Sequence, residues 1–107
     1  EDYYSNLKLI LEELAREMER NGLSDKAEEW RQWKKIVERI RQIRSNNSDL
    51  NEAKELLNRL ITYIQSQIFE VLHGVGETDQ EKKEESWKKW DLLLEHALLD
   101  VLMLLND

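Results

Sequence analysis

Cysteine is missing from this chain, which removes disulfide frameworks and thiolate chemistry. Proline is missing as well and glycine occurs three times, so little interrupts a long helix. No apolar run reaches the roughly 18 residues of a membrane span, so membrane insertion is not expected. The opening stretch EDYYSN lacks signal-peptide character. Basic residues are outnumbered by acids and scattered among them, giving a net charge of −7. Neither nucleic acid nor an anionic membrane suits that balance. What remains is a helix-favouring mixture rich in Leu, Glu and Lys, with 36% charged and 40% hydrophobic residues. At 107 residues it fits a single domain, 1–107, with one core.

The chain reads as four helices joined by short turns. An apolar-periodic run begins near Tyr3 and stops at Gly22, after which Ser24 is expected to cap the next. The second run covers about Asp25 to Arg44 and ends in the polar patch Ser45-Asn46-Asn47-Ser48. Asp49 and Glu52 give a D-x-x-E start to the third, which runs to about His73 before Gly74-Val75-Gly76. Thr78 and Glu81 supply a T-x-x-E start for the fourth. Short connections make sequential helices antiparallel neighbours. The expected fold is therefore all-α, an up-down-up-down four-helix bundle.

At about 100° per residue, each run resolves into a core arc and a remainder. The first helix turns Tyr3, Tyr4, Leu7, Ile10, Leu11, Leu14 and Met18 inward and strands Leu9 with Asp2, Asn6 and Glu13. The second is ordinary, with Trp30, Trp33, Ile36, Val37, Ile40 and Ile43 on one face. The third buries Leu56, Leu57, Leu60, Ile61, Ile64, Ile68 and Val71 and leaves Phe69 among Asn58, Thr62 and Gln65. Gln67 falls at the core edge without a reason visible in the sequence. The fourth helix has the largest surplus: Leu93, Leu94, Ala97, Leu98, Val101, Leu104 and Leu105 fill a core arc. Leu92, Leu99 and Met103 then lie outside it, beside His96 and Asp100. An exposed apolar stripe interrupted by a few polar groups suits a partner surface.

Catalysis and cofactors find little support. Glu70-Val71-Leu72-His73 has the E-x-x-H spacing of carboxylate-bridged metal bundles, but no second copy accompanies it, so no metal is expected. His96 and Asp100 at i and i+4 lie on a convex outside with no nucleophile motif, so no enzyme and no cofactor are expected. Trp30, Trp33, Trp87 and Trp90 all fall on core arcs, where packing is the default over a ligand pocket. Asn46-Asn47-Ser48 matches the N-glycosylation sequon within a surface turn.

Three segments resemble interleukin-2. Leu94-Glu95-His96-Ala97-Leu98-Leu99-Asp100, with Met103, Leu105 and Asn106 beyond, is similar to its first helix. Asp2-Tyr3-Tyr4-Ser5-Asn6 through Glu13-Leu14 resembles its third. The stretch Leu57-Asn58-Arg59-Leu60-Ile61-Thr62-Tyr63-Ile64-Gln65-Ser66 looks like its fourth. These cover about a third of the chain, in the order third, fourth, first, and the second helix here has no cytokine counterpart. The segments EDYYSNLKLILEE, ITYIQSQIF and HALLDVLMLLN also resemble computationally designed interleukin-2/interleukin-15 mimetics. Proline-free, cysteine-free, heavily charged helices fit such an origin.

That resemblance implies an extracellular, engineered ligand that dimerises two receptor chains. It assigns Leu92, His96, Leu99, Asp100 and Met103, with Asp2, Asn6, Leu9 and Glu13, to the interleukin-2 receptor beta chain. It assigns Asn58, Thr62, Gln65, Ser66, Ile68 and Phe69, with Leu98 and Leu102, to the common gamma chain. Ile68 and Leu98 also fall on core arcs. Gln67, Phe69 and Leu102 depart from the native pattern on the gamma side. The cytokine's alpha-receptor surface has no counterpart, which implies a ligand blind to the alpha chain; by itself the chain is expected to be a monomer. Two rival expectations are an inert bundle with accidental surface leucines and a bundle that self-associates through the fourth helix.

Overall fold

A computed structural model describes residues 2–73 and 80–106, with side chains described at 2–71 and 88–106. The helices are α1 (Tyr3–Arg20), α2 (Ser24–Ser45), α3 (Leu50–His73) and α4 (Gln80–Leu105). They form an up-down-up-down bundle of 49 × 22 × 21 Å, in which α1 touches α2 and α4 while α3 touches the same two.

Local chemistry explains most of the helix ends. Asp2 accepts from the Ser5 N–H at 3.2 Å and from the Ser5 hydroxyl at 2.8 Å, satisfying the first turn of α1. At the other end Leu23 N–H donates to Met18 C=O and Gly22 N–H to Glu19 C=O, the paired bonds of a Schellman turn. Gly22 sits at φ 77°, the left-handed position that turn requires. The same device ends α2, with Ser48 N–H bonded to Ile43 C=O, Asn47 N–H to Arg44 C=O, and Asn47 at φ 52°. Asp49 then accepts from Glu52 N–H at 3.0 Å. The Glu52 carboxylate turns to Arg39 on α2, 3.0 Å away, so the D-x-x-E start joins two helices as well as capping one.

One expected cap is corrected. Ser24 is the first residue of α2, and Leu23 holds the cap position without a side-chain bond. The reason is economy of chain: Leu23 already closes the Schellman turn of α1, and its carbonyl accepts from Ala27 N–H. No residue is left between the two helices for Ser24 to occupy as a cap. The Thr78–Glu81 start of the fourth helix lies outside the described residues.

Cross-helix pairs fix the directions. Lys8 meets Glu38, and Arg31 reaches back to Glu12 and Glu19, so α1 and α2 are antiparallel. Lys26 bonds Gln67 and Glu70 while Arg39 bonds Glu52, which sets α2 against α3. Lys89 near the start of α4 meets Glu17 near the end of α1. At the far end Arg44 bridges the Tyr4 hydroxyl and the Leu104 carbonyl, so α1 and α4 are antiparallel too.

The core follows the wheels closely. Leu7, Leu11, Leu14, Trp30, Val37, Ile40, Leu57, Leu60, Ile64, Leu94, Val101 and Leu104 are fully buried, with Ala15, Ala27, Ala53 and Ala97 filling the close approaches. Tyr3, Tyr4, Ile10, Trp33, Ile36, Leu56, Ile61, Ile68, Leu93, Leu98 and Leu105 pack around that centre half-buried. Trp30 stands edge-on to Tyr63 at 4.9 Å between ring centres, and Trp33 lies 5.7 Å from the same ring. Trp90 is buried, and the Trp87 side chain lies outside the described residues.

Two polar side chains enter the core edge with partners from other helices. Gln67 accepts from the Lys26 ammonium at 2.9 Å, which accounts for an amide at that position. Glu17 is held by Lys89 at 2.8 Å and by Arg20. Burial pushes the Glu17 carboxyl up, but the Lys89 hydrogen bond and the charges of Lys89 and Arg20 outweigh it and hold the group below its ordinary value.

Candidate docking faces

Packing α1 against α4 brings together the residues that neither helix could bury. Because the two run antiparallel, Asn6, Leu9 and Ile10 on α1 face His96, Leu99 and Asp100 on α4. Together they line an open groove of about 370 Å³. Leu9 is 70% exposed and Leu99 58%, and Leu92 and Met103 extend the apolar surface along α4 on either side. His96 is exposed, whereas Asn6 and Asp100 are partly covered. The pattern is an apolar ridge with three polar side chains at its centre. Fully covering a side chain of this size contributes about 1.5–3 kcal/mol, so four half-exposed ones are a substantial docking resource.

The two acids at the ends of this face have structural duties. Asp2 is the cap of α1 and lies 3.6 Å from Arg41 on α2. Its carboxyl is held below the ordinary value, first by the Ser5 hydroxyl and then by the Ser5 N–H, with Arg41 adding to both. Glu13 lies 3.5 Å from Lys89 and 3.6 Å from Arg20. Both therefore border the groove as members of intramolecular ion pairs.

The second face lies along α3 and the opposite flank of α4. Asn58, Thr62, Gln65, Ser66 and Phe69 are exposed, Phe69 at 63%. The Thr62 hydroxyl donates to the Asn58 carbonyl at 3.1 Å and the Ser66 hydroxyl to the Tyr63 carbonyl at 2.7 Å. Both hydroxyls thus spend their protons on their own helix and offer acceptors outward. Ile68 and Leu98 are half-buried against the core, so they form the seam of this face, whereas Leu102 is exposed. Antiparallel packing spreads the set: Leu102 lies near the beginning of α3 and Phe69 near its end, on the order of 25 Å apart along the axis at the helical rise. These residues make a strip along the bundle, unlike the compact α1–α4 groove.

Sequence reasoning missed Ile10 as part of the groove wall, because its wheel position marks it as core and it is both. Leu50 and Leu23 are also exposed, at helix starts where periodicity gives no inward direction. Among the described residues no three His, Asp or Glu side chains converge as a metal site would require. Glu70 is 2.7 Å from Lys26, and the His73 side chain lies outside the described residues. The groove contains an imidazole and a carboxylate, but no hydroxyl or thiol nucleophile lines it. Among the described residues no helix is long and apolar enough to cross a membrane. No protein-family model, curated protein or solved structure matches the chain.

Proposed function

We propose that this chain is an interleukin-2-like ligand, of the computationally designed kind, that brings two receptor chains together outside the cell. The α1–α4 groove docks the beta chain of the interleukin-2 receptor, and the α3–α4 strip docks the common gamma chain. The alpha chain has no surface to engage. Work is done by dimerisation, without chemistry, cofactor or metal. The observation that carries this reading is the exposed Leu9–Leu92–Leu99–Met103 ridge around Asn6, His96 and Asp100. Those are the residues that the cytokine resemblance assigns to beta-chain contact, and Leu9, Leu92, Leu99 and Met103 stay outside the core.

In this reading Asp100 and Asn6 set specificity through hydrogen bonds, and the leucines and Met103 supply burial around them. Titrating purified beta and gamma ectodomains separately, then together, tests it. The expected result is beta-chain binding alone, strengthened when the gamma chain is present. Asp100→Lys is expected to abolish beta-chain binding with the far-ultraviolet helical signal unchanged. Absence of binding to either ectodomain overturns the proposal. Sedimentation distinguishes the rivals, since an inert bundle stays monomeric and a self-associating one becomes heavier with concentration.

A further inference from the structure

Beyond receptor docking, the geometry points to Asn46 as an acceptor for N-linked glycan whenever the chain passes through a eukaryotic secretory pathway. Asn46-Asn47-Ser48 has the required amide and hydroxyl two residues apart, and all three residues are exposed. The turn is held by the backbone N–H groups of Asn46, Asn47 and Ser48, bonded to the carbonyls of Gln42, Arg44 and Ile43. The Ser48 hydroxyl adds a long contact of 3.4 Å to the Ile43 carbonyl. None of these bonds uses the Asn46 side-chain amide, so a sugar on Nδ2 removes none of them.

The fold itself presents the site, because Asn46, Asn47 and Ser48 lie between the end of α2 and the start of α3 and stay exposed. In the transfer, Asn46 Nδ2 forms the bond to the first sugar carbon of a lipid-linked oligosaccharide. The polyisoprenyl pyrophosphate leaves, and the amide loses one proton to the transferase base. The sugar then sits at the α2–α3 turn. In the ring of four helices that seam lies across the bundle from the α1–α4 groove.

The test is to direct the chain into the secretory pathway of mammalian cells behind a cleavable leader. Secreted and cell-retained fractions are both analysed by mass spectrometry, before and after peptide-N-glycosidase. The expected result is a hexose-containing mass increase, removed by the enzyme with deamidation mapped to residue 46. It should be absent from Asn46→Gln and Ser48→Ala and retained by Ser48→Thr. An unmodified mass in both fractions overturns the inference, as does an increase that survives Ser48→Ala. Neither outcome depends on whether a receptor chain binds.

Discussion

Replacing Lys89 with alanine is expected to destabilise the bundle at neutral pH and to do so far less in acid. Lys89 supplies one of two cations that touch Glu17, whose side chain is only 8% exposed, and it does so at 2.8 Å. Stripping a buried carboxylate of its partner typically costs about 3–5 kcal/mol. Here Arg20 remains in contact and the Lys89 side chain is half exposed, so the expected loss is nearer ~1–2 kcal/mol at pH 7. The sign follows from linkage. In the parent chain the Glu17 carboxyl is held below its ordinary value, despite burial, by Lys89 and Arg20. Its contribution is therefore present above the unfolded-state value and lost as pH falls through the folded one. Without Lys89, burial is opposed by less, and the penalty exists only while the carboxylate is charged. Urea denaturation followed by far-ultraviolet circular dichroism, at pH 7 and pH 3, measures the difference without the ionic screening of guanidinium. The cost of Lys89→Ala should shrink by more than half between the two. An equal cost at both values would show that Lys89 acts through its aliphatic stem alone.

The two left-handed turn positions should respond oppositely to side-chain changes. Gly22→Ala should cost about 1–2 kcal/mol, wholly from backbone conformation, because an added Cβ meets nothing within 4 Å. Asn47→Gly should instead stabilise by a few tenths to about 1 kcal/mol in the same urea assay. Leu57→Ala, at a fully buried position, should cost about 2–5 kcal/mol. By contrast Leu99→Glu should change stability by no more than about 0.5 kcal/mol. If the α1–α4 groove docks the beta chain, Leu99→Glu should also weaken that binding at least about 30-fold, the equivalent of ~2 kcal/mol at an interface centre. Unchanged affinity would remove the groove from the interface.

The legible and illegible parts of this chain divide by the range of the interaction concerned. Core arcs, turn positions and the outward stripe depend on residues three or four apart on one helix, and the apolar pattern contains that information directly. Leu9, Leu92, Leu99 and Met103 were readable as surplus because a helix has only one core face. What was not readable came from other helices. Gln67 has no local reason to sit at the core edge; its reason is Lys26, brought over by antiparallel packing of α2 and α3. Glu17 looks like any surface glutamate until Lys89 arrives from α4. Ala15, Ala27 and Ala53 are fully or almost fully buried, yet small side chains carry too little hydrophobic signal to mark a close approach in sequence. The Ser24 cap failed because two helix-terminal motifs competed for the same residues, and the Schellman turn took Leu23 first.

Placing both candidate faces on one helix has a mechanical consequence. The α1-facing flank of α4 carries His96 and Asp100, and its opposite flank carries Leu98 and Leu102, while Leu94, Ala97, Val101 and Leu104 between them are locked in the core. If both faces dock partners as proposed, the angle between them is set by side-chain directions about a single helical axis. An α-helix holds those directions at about 100° per residue. Connecting turns enter that angle only through the packing of α1 and α3 on either side. Two positions of the scaffold should therefore behave differently: charge changes on the outer face of α2, such as at Gln32 or Lys35, alter neither face, whereas a backbone kink inside α4 must misalign both at once. On the proposed two-partner reading, engineering that seeks to change the geometry of the complex has its lever in α4, and engineering that seeks stability alone has free ground on α2.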